Sequence, residues 1–426
     1  MSTAGHTGNP PQTFPHPVLY RLIQGLLRVA ELLPGQIRLD QDYLERQALQ
    51  ITGSDRFADD SFREPLEILL RSAREQRQLN AVGRNLVSRA VLRCLVNRLS
   101  LEQAWGGARP PAAGPGWPAR PPLYLVGLPR TGTTLLHKLL SADPRARALL
   151  FWESMFPLRL TMSGANATSV AGRQARATQI VQLINRLAPG FSSIHAVDPT
   201  GPEECYLLLA NTFHSYSFPL EWPVRDYYHW LSARTSADWL ACYEHYLATL
   251  RTLPMPGEDR HWVLKCPMHA PRVNTLAELV PNAIFIQTYR DIREVVGSTC
   301  SLSAAMRSIV TDQWSPGEIG SEVLETLGKY SQESVAAASR QAARVISIHY
   351  KDLVRDPLGV VRQIYERVGL AWDDSVATPM RAWLEANPQG RHGRHRYALE
   401  DYGLSSSQVT AVCAAYEDVE RSLVPS

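Results

Sequence analysis

The chain lacks the marks of several common functions. Its six cysteines are scattered at 94, 205, 242, 266, 300 and 413, with no CxxC pair among them. None of these spacings makes a zinc site. Six scattered thiols in a large chain fit a reducing compartment better than a disulfide framework. No run of 18 apolar residues occurs, so no membrane-spanning helix is expected. The opening MSTAGHTGNPPQTFPHP has no basic segment followed by an apolar one, which is not the pattern of a secretory signal. Charge of one sign is missing as well: 44 Lys and Arg stand against 41 Asp and Glu, a net +3. That balance argues against nucleic acid as a partner and leaves room for a local basic pocket. The expectation is a cytoplasmic protein.

What is present is an ordinary globular composition, with 45% hydrophobic and 20% charged residues. A length of 426 residues allows two domains, or one large domain with an appendage. Residues 1–16 are polar and proline-rich and read as a disordered lead-in. Residues 17–105 read as helical. Leu66, Leu69 and Leu70, then Leu79, Val82 and Leu86, then Val91, Leu95 and Leu99 recur at spacings of three and four, one buried face per helix. Gly106–Pro122 is the densest Pro/Gly stretch and reads as a linker. From 123 to 426 the pattern alternates. Short apolar, β-branched runs at Leu123–Leu128, His261–Lys265, Ala283–Tyr289 and Val345–Tyr350 are each followed by helical spacing. That predicts an α/β domain: a parallel sheet flanked by helices, of P-loop type, with the helical region in front of it.

Two segments carry chemistry. After the first strand comes Gly127-Leu-Pro-Arg130-Thr131-Gly132-Thr133-Thr134. A Gly loop between strand and helix aims backbone N–H groups and a helix N-terminus at one point, which makes an anion site. A nucleotide kinase would carry Lys where Thr133 stands, to reach the terminal phosphates. Arg130 offers a planar fork of donors to anionic oxygens. After the strand AIFIQTY comes Arg290, with Ser298 eight residues on. An Arg at a strand's carboxyl end and a hydroxyl on the next helix can share a second phosphate. Taken alone, Arg290 equally well pairs with Asp291 or Glu294.

PRTGTT followed by YRDIREVVGS, each after a strand, resembles the sulfotransferases that use 3′-phosphoadenosine-5′-phosphosulfate (PAPS). WVLKCPMH, HYKDLVRDP and HRYALEDYGL agree with the bacterial branch of that family in order and spacing. Arg130 stands where many cytosolic members have Lys, and where the tyrosylprotein and several bacterial branches have Arg. The resemblance implies that Arg130, Thr131, Gly132, Thr133 and Thr134 hold the 5′-phosphosulfate. It implies that Arg290 and Ser298 hold the 3′-phosphate, and that Tyr350 contacts the adenine. PAPS is then the sulfuryl donor, with no metal expected, and a small, partly apolar hydroxyl compound is the acceptor. GRHGRHRY (390–397) reads as a basic loop able to close over the 3′-phosphate.

Sulfuryl transfer, like phosphoryl transfer, calls mainly for positioning and charge stabilisation. Arg130 and Lys265, at a second strand end, are the cations for leaving-group charge. A general base must take the acceptor's proton. Glu153, among Phe151, Trp152, Met155 and Phe156, is the first candidate, since an apolar wall raises a carboxylate's pKa. A core carboxylate paired with Arg159 is the plainer reading. His195 and His269 are the other bases. The group His195, Asp198, Glu203 and Glu204 matches no metal-ligand spacing. Residues 212–230, the richest aromatic stretch, together with Trp152 and Phe156, read as an apolar acceptor wall. A P-loop kinase and a non-catalytic nucleotide-binding protein are the alternatives. The helical region fits a lid, a homodimer surface, or both.

Overall fold

β1 (Leu123–Gly127) lies at the centre of a five-stranded, all-parallel sheet. The other strands are β2 (Ala146–Ala148), β3 (His261–Lys265), β4 (Ile284–Tyr289) and β5 (Val345–His349), in the order β2-β3-β1-β4-β5. This architecture belongs to a computed structural model that describes residues 16–31, 38–75, 79–111, 120–158, 169–188, 196–257, 259–388 and 397–424. The lead-in 1–15, most of the Pro/Gly stretch, Arg159, His195 and the loop 389–396 lie outside the described residues.

Four of the five strands were expected, with ends within a residue. β2 was not. It is Ala-Arg-Ala, too short and too weakly apolar for its pattern to register. It gains its place only by pairing with His261–Val263 of β3.

Alternation of side chains along the strands divides the core in two. Leu123 and Leu125 of β1 point into a layer with Leu136, Leu139, Val263, Ile286 and Leu353. Tyr124 and Val126 point the other way, into a larger cluster shared with Leu264 and Phe285. That cluster is continuous with Leu66, Leu69, Leu70, Val91 and Leu95 of the N-terminal helices. The helix Ala81–Ala104 therefore shares one core with the sheet, packed against the helices Gln41–Thr52 and Ile292–Val310.

The contact is close. Gly83 faces the helix Ile292–Val310, and a Cβ there would lie 2.1 Å from the Val310 carbonyl oxygen. The Asn80 N–H donates to that same carbonyl at 2.9 Å.

The order of strands turns about β1. The chain leaves β1 toward β2 on one side and leaves β4 toward β5 on the other. In open parallel sheets this opens a crevice at the carboxyl ends of the two strands. Gly127 pairs with Thr288 in register, so the turn after β1 and the Arg290 turn after β4 rise side by side. Gly83→Ala should cost about 1–3 kcal/mol by overpacking, read as a lower urea midpoint with an unchanged slope.

Candidate active site

The crevice holds the two segments singled out in the sequence. The turn after β1 is tight because three of its residues take left-handed backbone conformations: Gly127 (φ 127), Arg130 (φ 68) and Gly132 (φ 90). Two of these are places where only glycine fits. A Cβ on Gly127 would lie 2.8 Å from both the carbonyl and the hydroxyl oxygen of Thr288. A Cβ on Gly132 would lie 2.8 Å from the Tyr350 ring. Arg130 carries the same backbone conformation with a side chain, a state worth noting in a non-glycine residue. Thr131 pins the turn. Its hydroxyl donates to the Leu128 carbonyl at 2.7 Å and bonds the Thr288 hydroxyl at 2.6 Å. The helix Thr133–Ser141 then begins with Gly132 as its cap and no side-chain cap bond, so its first N–H groups face the crevice.

Arg290 donates from Nη1 to the Arg130 carbonyl at 2.9 Å, while Arg130 Nε donates to the Ser298 hydroxyl at 3.0 Å. The guanidinium of Arg290 lies 4.4 Å over the Tyr350 ring and also pairs with Glu294. Arg130, Arg290, Ser298 and Tyr350 thus meet in one place although they span 220 residues of sequence. Burial lowers the pKa of the Arg130 guanidinium. Its charge is under-solvated there, a situation an incoming anion relieves.

Lys265 ends β3 beside Leu125. Its ammonium is buried and donates to Glu204 Oε1 at 2.5 Å and to the Thr134 hydroxyl at 3.3 Å. Burial alone would push it down, but the Glu204 and Glu203 carboxylates outweigh that and hold its pKa above the ordinary lysine value. Glu204 is brought there by the backbone. The Glu203 N–H donates to the Leu149 carbonyl, and the Cys205 N–H to the Lys265 carbonyl. Among the described residues no other side chain donates a hydrogen bond to the Glu204 carboxylate.

Glu153 goes elsewhere. Its carboxylate accepts from Arg147 Nη2 at 2.7 Å and from the Leu150 N–H at 3.1 Å. It closes the first turn of the helix Phe151–Met155 and does not reach the cavity beside the loop. Its partner Arg147 stacks on Trp262. Trp152 and Phe156 likewise sit in the core and do not line that cavity. His269 is sealed among Tyr124, Tyr243 and Tyr246. Burial pushes its pKa down to about 3, so it stays neutral and out of reach. Met268 one residue earlier takes the cavity side of that turn.

The cavity measures about 330 Å³. It starts at Arg130, Thr133, Thr134 and Glu204 and runs between apolar walls that include Tyr216, Leu220, Met306, Leu327 and Tyr330. Part of the aromatic stretch 212–230 therefore does line it. Two acids matter there that sequence reasoning did not single out. Glu204 belongs to the group with His195, Asp198 and Glu203 that matches no metal-ligand spacing, and Glu221 lies within the aromatic stretch 212–230. Burial raises the Glu221 carboxyl to about 7.

The fold and this site define a group-transferring enzyme of the α/β class. The chain belongs to the sulfotransferase family, whose model matches residues 121–374, more than half of its length. It is 26% identical over 286 residues to the omega-hydroxy-beta-dihydromenaquinone-9 sulfotransferase Stf3 of Mycobacterium tuberculosis, covering 66% of this chain and 71% of that one. The fold is similar to the crystal structure of sulfotransferase STF1 from M. tuberculosis, with a TM-score of 0.73 and 28% identity over 88% of this chain and 98% of the other. It is also similar to STF9 from Mycobacterium avium, with a TM-score of 0.77 and 25% identity over 90% and 97%.

Glu221 gives a pH signature. Its folded pKa lies above the ordinary value of 4.5, so its contribution to stability is full below about pH 4.5 and is lost as pH rises through 7. Glu221→Gln should therefore gain on the wild type between pH 5 and 8, by on the order of 3 kcal/mol, measured by urea unfolding at both ends of that range.

Proposed function

We propose that this sulfotransferase moves the sulfuryl group of PAPS to the hydroxyl of a small, largely apolar alcohol. The observation that carries this reading is the Lys265–Glu204 pair. It stands between the anion-binding turn and an apolar cavity, where a donor and an acceptor would meet.

The residues of the turn suit the donor nucleotide. Two glycines leave the backbone open where a Cβ would collide, the helix N-terminus points into the crevice, and two guanidinium groups flank it. Arg130 and Thr131–Thr134 would hold the 5′ end, Arg290 and Ser298 the 3′-phosphate, and Tyr350 one side of the purine. When bound, PAPS supplies the sulfuryl group and, with its 5′-phosphate, the leaving group. Glu204 receives the acceptor's hydroxyl proton on the carboxylate oxygen not held by Lys265. Lys265, kept protonated by its two acid neighbours, fixes the Glu204 rotamer and adds positive charge on the side of Thr134. The apolar walls exclude water, which strengthens each of these charges. Glu153 has a structural part in this scheme. The six cysteines are all buried free thiols, which supports a cytoplasmic setting. No helix among the described residues is long and apolar enough to cross a membrane.

The apolar walls support the acceptor class. The named activity of the Stf3 relative, on an ω-hydroxylated dihydromenaquinone, is the kind of apolar alcohol they favour.

Binding of 3′-phosphoadenosine 5′-phosphate should raise the melting temperature without added metal, whereas Mg-ATP should not. The opposite result would sink the reading in favour of a kinase. Arg290→Ala should weaken that binding at least tenfold by calorimetry. Glu204→Gln should lower kcat about 100-fold or more while nucleotide affinity stays within a factor of three. Glu153→Gln should lower stability and leave kcat nearly unchanged. The reverse pattern in these two variants would return the base to Glu153.

A further inference from the structure

Nine large apolar side chains are exposed among the described residues, and five of them lie on one helix, Val18–Glu31. Val18 is 68% exposed, Leu22 60%, Leu26 70% and Val29 61%, with Leu19 beside them. At 100° per residue these five fall within one stripe. Arg21 and Arg28, also exposed, sit seven residues apart along a single edge of it. The opposite face is firmly attached. Tyr20, with Ile23 and Leu27, packs on Val82 and Leu187. The Tyr20 hydroxyl donates to the Ile309 carbonyl at 2.7 Å, and Gln24 Nε2 to Asp312 at 2.9 Å. The helix is thus held rigidly with its apolar side turned outward. The neighbouring helix Val170–Leu187 continues the surface with exposed Leu183 and Arg186.

The place of this helix gives the stripe a meaning. Ile309 lies in the last turn of the helix Ile292–Val310, and Asp312 two residues beyond its end; the same helix lends Leu302, Ser303 and Met306 to the acceptor cavity. Thr311 and Gln313, on either side of Asp312, line a second cavity. The two cavities share Arg225, Arg307 and Glu322, and the buried Arg307 bridges to Glu322 in that common wall. The helix that carries the apolar stripe is therefore anchored beside the second cavity, which shares a wall with the space proposed for the acceptor.

We propose that the helix Val18–Glu31 docks on an anionic lipid bilayer and presents the cavity to it, so that the acceptor is drawn from the membrane. The purpose rests on the apolar-acceptor reading above; the docking does not. Charge favours this occupant over a second copy of the chain. A two-fold contact of the stripe with antiparallel helices would bring two net positive edges together, because Arg21 and Arg28 share one acid, Asp312, which already pairs with Arg28 at 3.5 Å. Lipid phosphates meet those guanidinium groups while the leucines enter the acyl boundary.

The test is flotation of the full chain with vesicles of phosphatidylcholine containing one quarter phosphatidylglycerol, beside vesicles of phosphatidylcholine alone. The wild type should partition to the anionic vesicles at least tenfold better. Leu22→Glu combined with Leu26→Glu should abolish the binding. Arg21→Gln and Arg28→Gln should each lower it about fivefold on anionic vesicles. The melting temperature and its rise with 3′-phosphoadenosine 5′-phosphate should be unchanged in every variant, which shows that the fold and the nucleotide site are intact. Absence of wild-type binding overturns the proposal. So does a wild-type dimer in sedimentation velocity that Leu22→Glu with Leu26→Glu makes monomeric, since that assigns the stripe to a second copy. Vesicle binding without sulfuryl transfer to any lipid alcohol would uphold the docking and count against the acceptor reading alone.

Discussion

The sharp return of the chain after β1 is the constraint on which the carboxyl end of the sheet depends. Gly127 must approach Thr288 within van der Waals limits that no Cβ allows, because β1 is paired in register with β4 to its last residue. Gly132 must approach Tyr350 in the same way. Between them Arg130 accepts a left-handed backbone, at an energy of order 1–3 kcal/mol. The surrounding sheet and the Thr131–Thr288 hydroxyl bond hold it there. In return, the Arg130 carbonyl meets Arg290 and its side chain meets Ser298. One local distortion therefore joins the turn after β1 to the turn and helix after β4.

A second feature divides the crevice by polarity. Lys265 and Glu204 are a nearly buried pair on the boundary between the polar turn and the apolar cavity. Pairs of this kind do little for stability, since desolvation offsets most of their attraction, but loss of one partner strands the other. Here the pair places a carboxylate at the apolar cavity and a cation beside Thr134 of the glycine turn. Sheet pairing sets the lysine, and two backbone bonds to Leu149 and Lys265 set the glutamate. Neither position relies on a long flexible loop.

Much of the fold was legible because its signals are local. Short apolar, β-branched strand runs, the Gly turn after the first of them, and the Arg–Ser spacing after β4 are readable within windows of a dozen residues. The parallel order follows from the helices between them. β2 was not legible, since three residues of Ala-Arg-Ala have no intrinsic preference strong enough to declare a strand, and its identity comes from its neighbour. The candidate base shows the same limit more clearly. Glu153 sits in a promising apolar run, yet that run is core, and its carboxylate is used by Arg147 and by a helix cap. Glu204 sits beside Glu203 and close to Asp198, and the sequence around these acids does not say which of them faces the cavity.

What the sequence by itself determined is the set of local conformations: which segments are strands, where the chain must turn through glycine, and which cations stand at strand ends. These follow from side-chain periodicity and from backbone sterics, which need no distant partner. Only the tertiary structure decided which acids face the cavity and which helix keeps an apolar side in the open. Burial and electrostatic neighbours depend on contacts between segments far apart in the chain. A carboxylate's role is set by those contacts rather than by the residues beside it in sequence.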